Sequence, residues 1–294
     1  MNERDRLAEP FEESRPHLRS VAYRMLGSLS EADDAVQEAW LRLSRADASE
    51  VDNLKGWLTT VVARVCLDML RSRKSRREES LEVQGSDPVP SQKRIDPEQE
   101  AVLADSVGLA LLVVLDTLDP AERLSFVMHD MFDVPFEEIA RVVGRSPAAA
   151  RQLASRARRR VRGQATISEA DVSDQRRVVD AFLTALRAGD FEGLLAVLDP
   201  NVVVRVDAAG EGPGGAREVR GAENWARGAM AFSRGARSAR AALVNGIVGV
   251  VLAPRGRLFR VLSFRISGGR IVEAEVIADP ERLRQLDLAV LSDR

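Results

Sequence analysis

Apolar and polar positions recur with a helical period through most of the first 160 residues. Phe11, Leu18, Val21, Ala22, Met25 and Leu26 make one stripe, which Gly27 ends. Ser30 is placed to cap a second helix, EADDAVQEAWLRLSR, whose first turn carries acids as the helix dipole favours. A third helix is predicted over LKGWLTTVVARVCLDMLRSRKSRR, with Trp57, Leu58, Val61, Val65 and Leu67 at its apolar positions. From Glu78 to Glu100 the period stops and Pro88, Pro90 and Pro97 appear, which predicts a linker. Asp96 is placed to cap the next helix. Its segment AVLADSVGLALLVVLDTL is apolar nearly all round, so it is expected to be buried against the helices that follow it.

The sharpest punctuation lies between Phe136 and Arg162. Phe136, Ile139, Ala140 and Val143 share one helix face, and Gly144 supplies a left-handed stop. Ser146 then caps, and Pro147 suits the first position of a new helix. Ala150, Leu153 or Ala154, Ala157 and Val161 form its seam, which turns Arg151, Gln152, Ser155, Arg158, Arg159 and Arg162 outward. The pattern is a helix-turn-helix. From Ser168 the predicted order becomes two short helices, a strand, a flexible EGPGG, a helix near 222–233, strands near 239–253, 257–266 and 270–278, and a closing helix DPERLRQLDLAVL.

Charge sharpens this picture. The chain of 294 residues has a net charge of −2, yet Arg141 to Arg162 holds eight arginines (141, 145, 151, 156, 158, 159, 160, 162) and no acid. Such segregation suits a helix lying in a DNA major groove, with Arg and Gln at base edges and the arginine tail on phosphate. The competing reading, a solvated basic helix, does not account for the tight Gly-Arg-Ser-Pro turn. A second basic patch closes the third helix, at Arg71, Arg73, Lys74, Arg76 and Arg77. The helix dipole alone favours bases there. Arg64, with Asp68 and Arg71 one and two turns on, lines a face with Trp57, a mixture suited to single-strand and phosphate contact. A plain core role for Trp57 stays open.

Other chemistry is sparse. The one cysteine, Cys66, excludes an internal disulfide framework, and the apolar runs at 107–115 and 247–254 are too short to span a bilayer. The first ten residues lack the apolar core of a secretory signal, so a cytoplasmic location is expected. No cysteine or second histidine lies near His129 to complete a metal set, His129 itself is expected to be a partly buried structural residue, and no metal or cofactor is expected.

DDAVQEAWLRLSR, LKGWLTTVVARVCLDMLRSR and LDPAERLSFVMHDMFDVPFEEIARVVGRSPAAARQLASRARRRV together resemble the sigma-70 family of transcription initiation factors, in its extracytoplasmic-function group. Three blocks occur in that family's order. The resemblance implies that Asp33, Asp34, Gln37, Glu38, Trp40, Leu41 and Arg42 dock on core RNA polymerase. It makes Asn53, Lys55, Trp57, Arg64, Asp68 and Arg71 the reader of the melted minus-ten element. Ser146, Arg151, Gln152, Ser155, Arg156, Arg158, Arg159 and Arg162 would then read the minus-thirty-five duplex. Arg64 stands where many members carry Asn. The C-terminal order of elements resembles a SnoaL-like cone, a curved sheet wrapped by helices around a pocket, and the whole resembles the SigJ-type subgroup, whose appended domain regulates the sigma half. Asp279, Pro280, Glu281, Arg282 and Leu283 resemble that subgroup's Asn-Pro-Asp-Lys-Leu, and Asp207-Ala208-Ala209-Gly210 its Asp-Gly-Gly-Gly; its Trp-Leu-Pro-Glu-Pro linker motif is absent.

The expected architecture is therefore two all-α domains, region 2 over 1–77 and region 4 over 101–163, joined by a linker over 78–100 and followed by an α+β domain over 168–294. Core polymerase and promoter DNA are the implied partners, with a small ligand in the C-terminal pocket left open. Two other function classes compete with this reading. A ligand-responsive one-component regulator has no need of the second basic, aromatic face. An enzyme of the SnoaL-like cyclase or isomerase type would have to work without His, Cys, Tyr or Lys, since none occurs after residue 163, and Asp207, Glu273 and Glu275 are the only carboxylates on predicted strands.

Overall fold

The computed structural model describes residues 3–45, 53–82, 108–163, 168–207, 217–231, 236, 238–254 and 258–291. It divides into two compact units, Met1–Val107 with Leu118–Arg158, and Gly108–Thr117 with Arg159–Arg294.

The first unit opens with three helices, α1 (Glu3–Leu26), α2 (Leu29–Leu43) and α3 (Leu54–Glu82). Gly27, at φ 71°, reverses the chain within one residue, so α2 restarts immediately. Its cap is consequently Ser28, whose Oγ accepts from the Glu31 N–H, and not Ser30. Leu18, Met25, Leu29, Leu43, Leu58 and Leu67 are fully buried between the three helices, each contributing about 1.5–3 kcal/mol. On α3 the inward positions are Leu58, Val62, Ala63, Val65, Cys66, Leu67 and Leu70; Val61 lies half a face away and is half-buried. The helix also runs on through residues 78–82, where a linker was expected, because RREESLE consists largely of strong helix formers and the first proline comes only at Pro88. The remainder of the expected linker, with Asp96, lies outside the described residues.

Cys66 sits in this core with no exposure, and burial pushes its thiol up to about 12, against the pull of nearby Arg123 and Arg73. At pH 8 the folded chain should therefore leave a thiol reagent unreacted, and unfolding should release one full equivalent. Rapid titration of the native thiol would contradict this packing.

Two short helices follow in the same unit: α5 (Pro120–Phe126), continued as a π-helical turn over Val127–Met131, and α6 (Phe136–Val143). Then comes α7 (Pro147–Arg162), inside which the division between the units falls. Arg123 of α5 is the largest fully buried side chain among the described residues, and its Nε and Nη2 donate to the Arg24 carbonyl at the end of α1 at 3.3 and 3.1 Å. Phe132 closes the same contact. The Arg24 guanidinium lies 5.2 Å from its ring centre, and the His17 ring meets it edge-on at 5.4 Å. His17 also bonds Thr59 Oγ1 at 3.2 Å, and its pKa is lowered first by burial and then by Lys55 and Arg24.

The apolar helix α4 (Leu109–Asp116) belongs to the second unit, where it packs against the strands over Ala239–Val244 and Leu288–Ala289, a correction to its expected burial against region 4. With Leu109, Ala110, Leu112, Val113, Val114 and Leu115 all buried, it needs apolar cover on several sides, which a sheet supplies. That unit continues with α8 (Glu169–Ala188), α9 (Phe191–Val197), β1 (Leu198–Val206), β2 (Arg217–Arg220) and α10 (Ala222–Met230). It ends with β3 (Ala239–Val244), β4 (Ile247–Leu252), β5 (Arg260–Ser267), β6 (Arg270–Ile277), α11 (Pro280–Gln285) and β7 (Leu288–Ala289). The sheet order is β2-β1-β6-β5-β4-β3-β7, antiparallel except for β1 beside β6. The helix-helix-strand-helix-strands order is that of a SnoaL-like cone. The first of the two helices is long at 20 residues, β2 was not foreseen, and the closing segment is helix only to Gln285, after which Leu288 and Ala289 pair with β3. Residues 208–216, with the expected flexible EGPGG, lie outside the described residues.

Candidate nucleic-acid interface

The turn between α6 and α7 is built as local chemistry demands. Gly144 adopts φ 70°, ψ 41°, and a Cβ there would strain that left-handed backbone. Ser146 Oγ accepts from the Ala149 N–H at 3.2 Å, and Pro147 opens α7. Ala150, Ala154 and Ala157 are buried, whereas Leu153 and Val161 are half-buried, so the small side chains let α7 lie close on its neighbours. Arg151, Gln152, Ser155, Arg156, Arg159 and Arg162 are exposed. They cover one side of a helix about 24 Å long.

Two arginines of the expected DNA-reading set, Arg151 and Arg158, are already engaged. Arg151 lies over the Phe136 ring at 5.4 Å and reaches Glu137 at 3.3 Å, an exposed pair that water screens. Its head is thus oriented and still available to a stronger partner. Arg158 was expected to face outward, but it is half-buried on Asp130 of the π-helical turn, because the α7 seam at Ala154 and Ala157 carries it inward. It braces the motif. His129 beside it is half-buried, its Nδ1–H donates to the Val134 carbonyl at 3.2 Å, and its ring packs tilted against Phe136 at 3.9 Å between centres.

The second candidate face lies on α3. Lys55, Arg64, Asp68 and Arg71 are exposed and Trp57 is half-buried, with residues 57, 64, 68 and 71 spaced along one side. Asn53 has a structural task as well. Its Oδ1 caps α3 by accepting from the Gly56 N–H at 3.0 Å, and a Cβ on Gly56 would sit 2.8 Å from its Nδ2. Only its amide N–H donors remain for a nucleic acid. On α2, Asp33, Asp34 and Gln37 are exposed, while Glu38, Trp40, Leu41 and Arg42 are half-buried. Trp40 packs on Phe11 at 4.9 Å, Asp33 pairs with Arg19 at 2.7 Å, and Glu38 with Arg42 at 3.0 Å. Asp34, Glu38 and Arg42 line a groove of about 440 Å³ whose other wall is α3, including Asp68. Of the α3 set, Asp68 alone is among the residues that line this groove.

In the second unit Asp207, Asp279 and Arg282 form one cluster. Asp207 Oδ2 accepts from the Ala278 and Asp279 N–H groups at 2.9 Å each and lies 3.7 Å from Arg282. Asp279 caps α11 by accepting from the Glu281 and Arg282 N–H groups, Pro280 follows at the first helical position, and Leu283 is buried. Glu275 pairs with Arg282 at 2.6 Å and Glu273 with Arg265 at 2.7 Å, which holds the Glu273 carboxyl below its usual range. Asp207 was expected on a strand but lies just past the end of β1 at Val206, whereas Asp199 of β1 and Glu218 of β2 are strand carboxylates that the predicted strands did not contain. Arg123 was missed altogether, since an arginine in a short polar helix carries no signal of burial.

Among the described residues no helix is long and apolar enough to cross a membrane, and no group of three potential metal ligands occurs. The Sigma-70 region 2 model matches residues 11–76 and the Sigma-70, region 4 model residues 108–161. The chain is 38% identical over 286 residues to the ECF RNA polymerase sigma factor SigJ of Mycobacterium tuberculosis, covering 92% of this chain and 91% of that one. It is 34% identical over 290 residues to the probable ECF RNA polymerase sigma factor SigI of the same species, covering 97% and 98%. The crystal structure of the M. tuberculosis SigJ protein matches with a TM-score of 0.46 at 32% identity, over 94% of this chain and 97% of that one. With identity of this level sustained over nearly its whole length, the chain belongs to the family of extracytoplasmic-function RNA polymerase sigma factors.

Proposed function

We propose that this sigma factor docks on core polymerase through α2, reads a duplex upstream promoter element with α7 and a melted downstream element with the Lys55 to Arg71 face of α3, and is controlled in cis by its C-terminal unit. The observation that carries the DNA reading is the exposed face of α7, where Arg, Gln and Ser sit without a single acid on a helix oriented by the Gly144 turn. Arg151 and Gln152, near its N-terminal end, are the base readers, and Arg156, Arg159 and Arg162 follow the phosphates.

Selection on a promoter library tests this division. Arg151→Ala should relax sequence choice in the upstream element at about 1–3 kcal/mol for a bidentate contact. Arg159→Ala should weaken all sequences alike and make the slope of log affinity against log salt shallower by about 0.9. If the two variants behave alike, the assignment of reading and tracking residues fails.

Control in cis is supported by the way Asp207, Asp279 and Arg282 fix the start of α11 and so the position of Leu283. Deleting the chain from Val202 would cut β1 and uncover α4, so a point substitution is the cleaner probe. Leu283→Ala should change promoter output by about fivefold, the size of an ordinary coupling between sites, while the helical unit keeps its melting behaviour. Wild-type core binding and transcription in that variant would remove the proposed role. An acid–base enzyme is not favoured, because Asp207 already accepts two backbone N–H groups, and Glu273 and Glu275 are paired with arginines.

A further inference from the structure

His17 is one of two histidines in the chain, and neither the proposed docking nor the DNA reading uses it. It lies half-buried where three stretches of the helical unit converge: α1, the start of α3, and the residues just after the π-helical turn. Its neighbours fix its proton. The Thr59 hydroxyl donates to the Lys55 carbonyl at 2.8 Å, so toward His17 at 3.2 Å its oxygen can only accept. His17 Nε2 therefore carries the hydrogen, and Nδ1 is bare in the neutral ring. The ring also meets Phe132 edge-on, and the Arg24 guanidinium already lies over that phenyl ring, 5.2 Å from its centre. Among the described residues the charges that act on His17 are Lys55 and Arg24, both cations. Glu13, one turn earlier on α1, and Asp133, beside Phe132, are exposed to water, and Asp130 is paired with Arg158. A second proton would add a third positive charge to this half-buried spot, and the pKa of His17 is accordingly lowered, first by burial and then by those two cations. We propose that His17 makes this junction an acid-sensitive latch: uptake of a proton at Nδ1 unseats Phe132 and frees the helix-turn-helix from the three-helix group that carries α2 and α3. The spacing of the two candidate DNA-reading helices, α3 and α7, then responds to pH. The inference goes beyond docking and DNA reading and is tested with neither partner present.

The latched form takes this proton less readily than the open form, so the latch is intact above the ordinary histidine range, about 6.5, and weakens as pH falls below it toward the lowered value. Spin labels on the full chain at Lys74→Cys and Asp119→Cys, on the two sides of the junction, report its opening, and Cys66 stays unlabelled because it is buried. The label distance should be single and short at about pH 8, and a longer population should grow as pH falls. Between about pH 7.5 and about pH 5.5 the ratio of latched to open chains should drop on the order of tenfold, within the limit of about tenfold per pH unit that one proton allows. His17→Gln keeps an N–H for Thr59 but takes no proton, so its ratio should change by less than about twofold over the same range. Imidazole NMR gives an independent reading, since the chain has two histidines and replacing either one identifies the other's signal. The His17 midpoint should lie below about 6.5 and coincide with the midpoint of the opening. A label distance that ignores pH, a His17→Gln variant that opens as the wild type does, or two midpoints more than about one pH unit apart would each overturn the proposal.

Discussion

Reversing two charges on α2, Asp34→Lys with Glu38→Lys, should lower affinity for core polymerase by about 100-fold or more while the chain keeps its helical content. The size follows from the loss of two charge contacts at an interface, each worth about 2–5 kcal/mol when desolvated, with repulsion added in their place. The fold should tolerate the change. Asp34 is exposed, and Glu38 holds only a half-exposed i,i+4 pair with Arg42, which contributes about 0.3–0.5 kcal/mol. The cap at Ser28 and the Glu31–Arg73 pair, which join α2 to its neighbours, are untouched. Pull-down by core enzyme, with circular dichroism as the control, reads the outcome. Wild-type affinity in the double variant would mean that the α2–α3 groove is not the docking surface.

What could be read in the sequence, and what could not, divides along the range of the interactions involved. The helix-turn-helix was legible because Gly144, Ser146 and Pro147 each act within a turn of themselves, and the three helices before it because their apolar stripes continue for many residues. Even the misplaced cap at Ser30 errs by two residues, the distance that the single left-handed Gly27 saves. The candidate polar residues of α2, α3 and α7 mostly lie at the surface. Arg158 departs because its partner, Asp130, is 28 positions away.

Everything decided at long range stayed hidden. The apolar run around Leu109 to Leu115 announces burial but not what covers it, and the strands that do so lie more than 120 residues further on. A pair of residues such as Leu288 and Ala289 becomes a strand only because β3 presents an edge to it. A cavity in the second unit is the same case, since two of the residues that line it, Arg217 and Arg260, come from β2 and β5, separated in the sheet by β1 and β6. No local pattern pairs them.

Arg123 is the extreme example of such hidden structure, and Arg123→Ala should cost the helical unit about 3 kcal/mol, a typical value for truncating a large core side chain. Two losses add. The substitution leaves a void at a side chain that is 1% exposed, and it strips two donors from the Arg24 carbonyl at the negative end of α1. Because α5 carries Arg123 and α1 belongs to the helices before the linker, the same change should loosen the seat of the helix-turn-helix on that three-helix group. The Lys74–Asp119 pair, 2.7 Å apart and exposed, joins the same two parts and marks where labels can report their separation. Being exposed, that pair contributes little by itself. Arg123→Lys keeps the charge but loses the planar fork, and should fall between the two. Denaturant melting together with the label distance distinguishes a buried latch from a passive core residue. A melting curve for Arg123→Ala within about 0.5 kcal/mol of wild type, the range of ordinary surface substitutions, would show that the buried guanidinium does not hold these helices together.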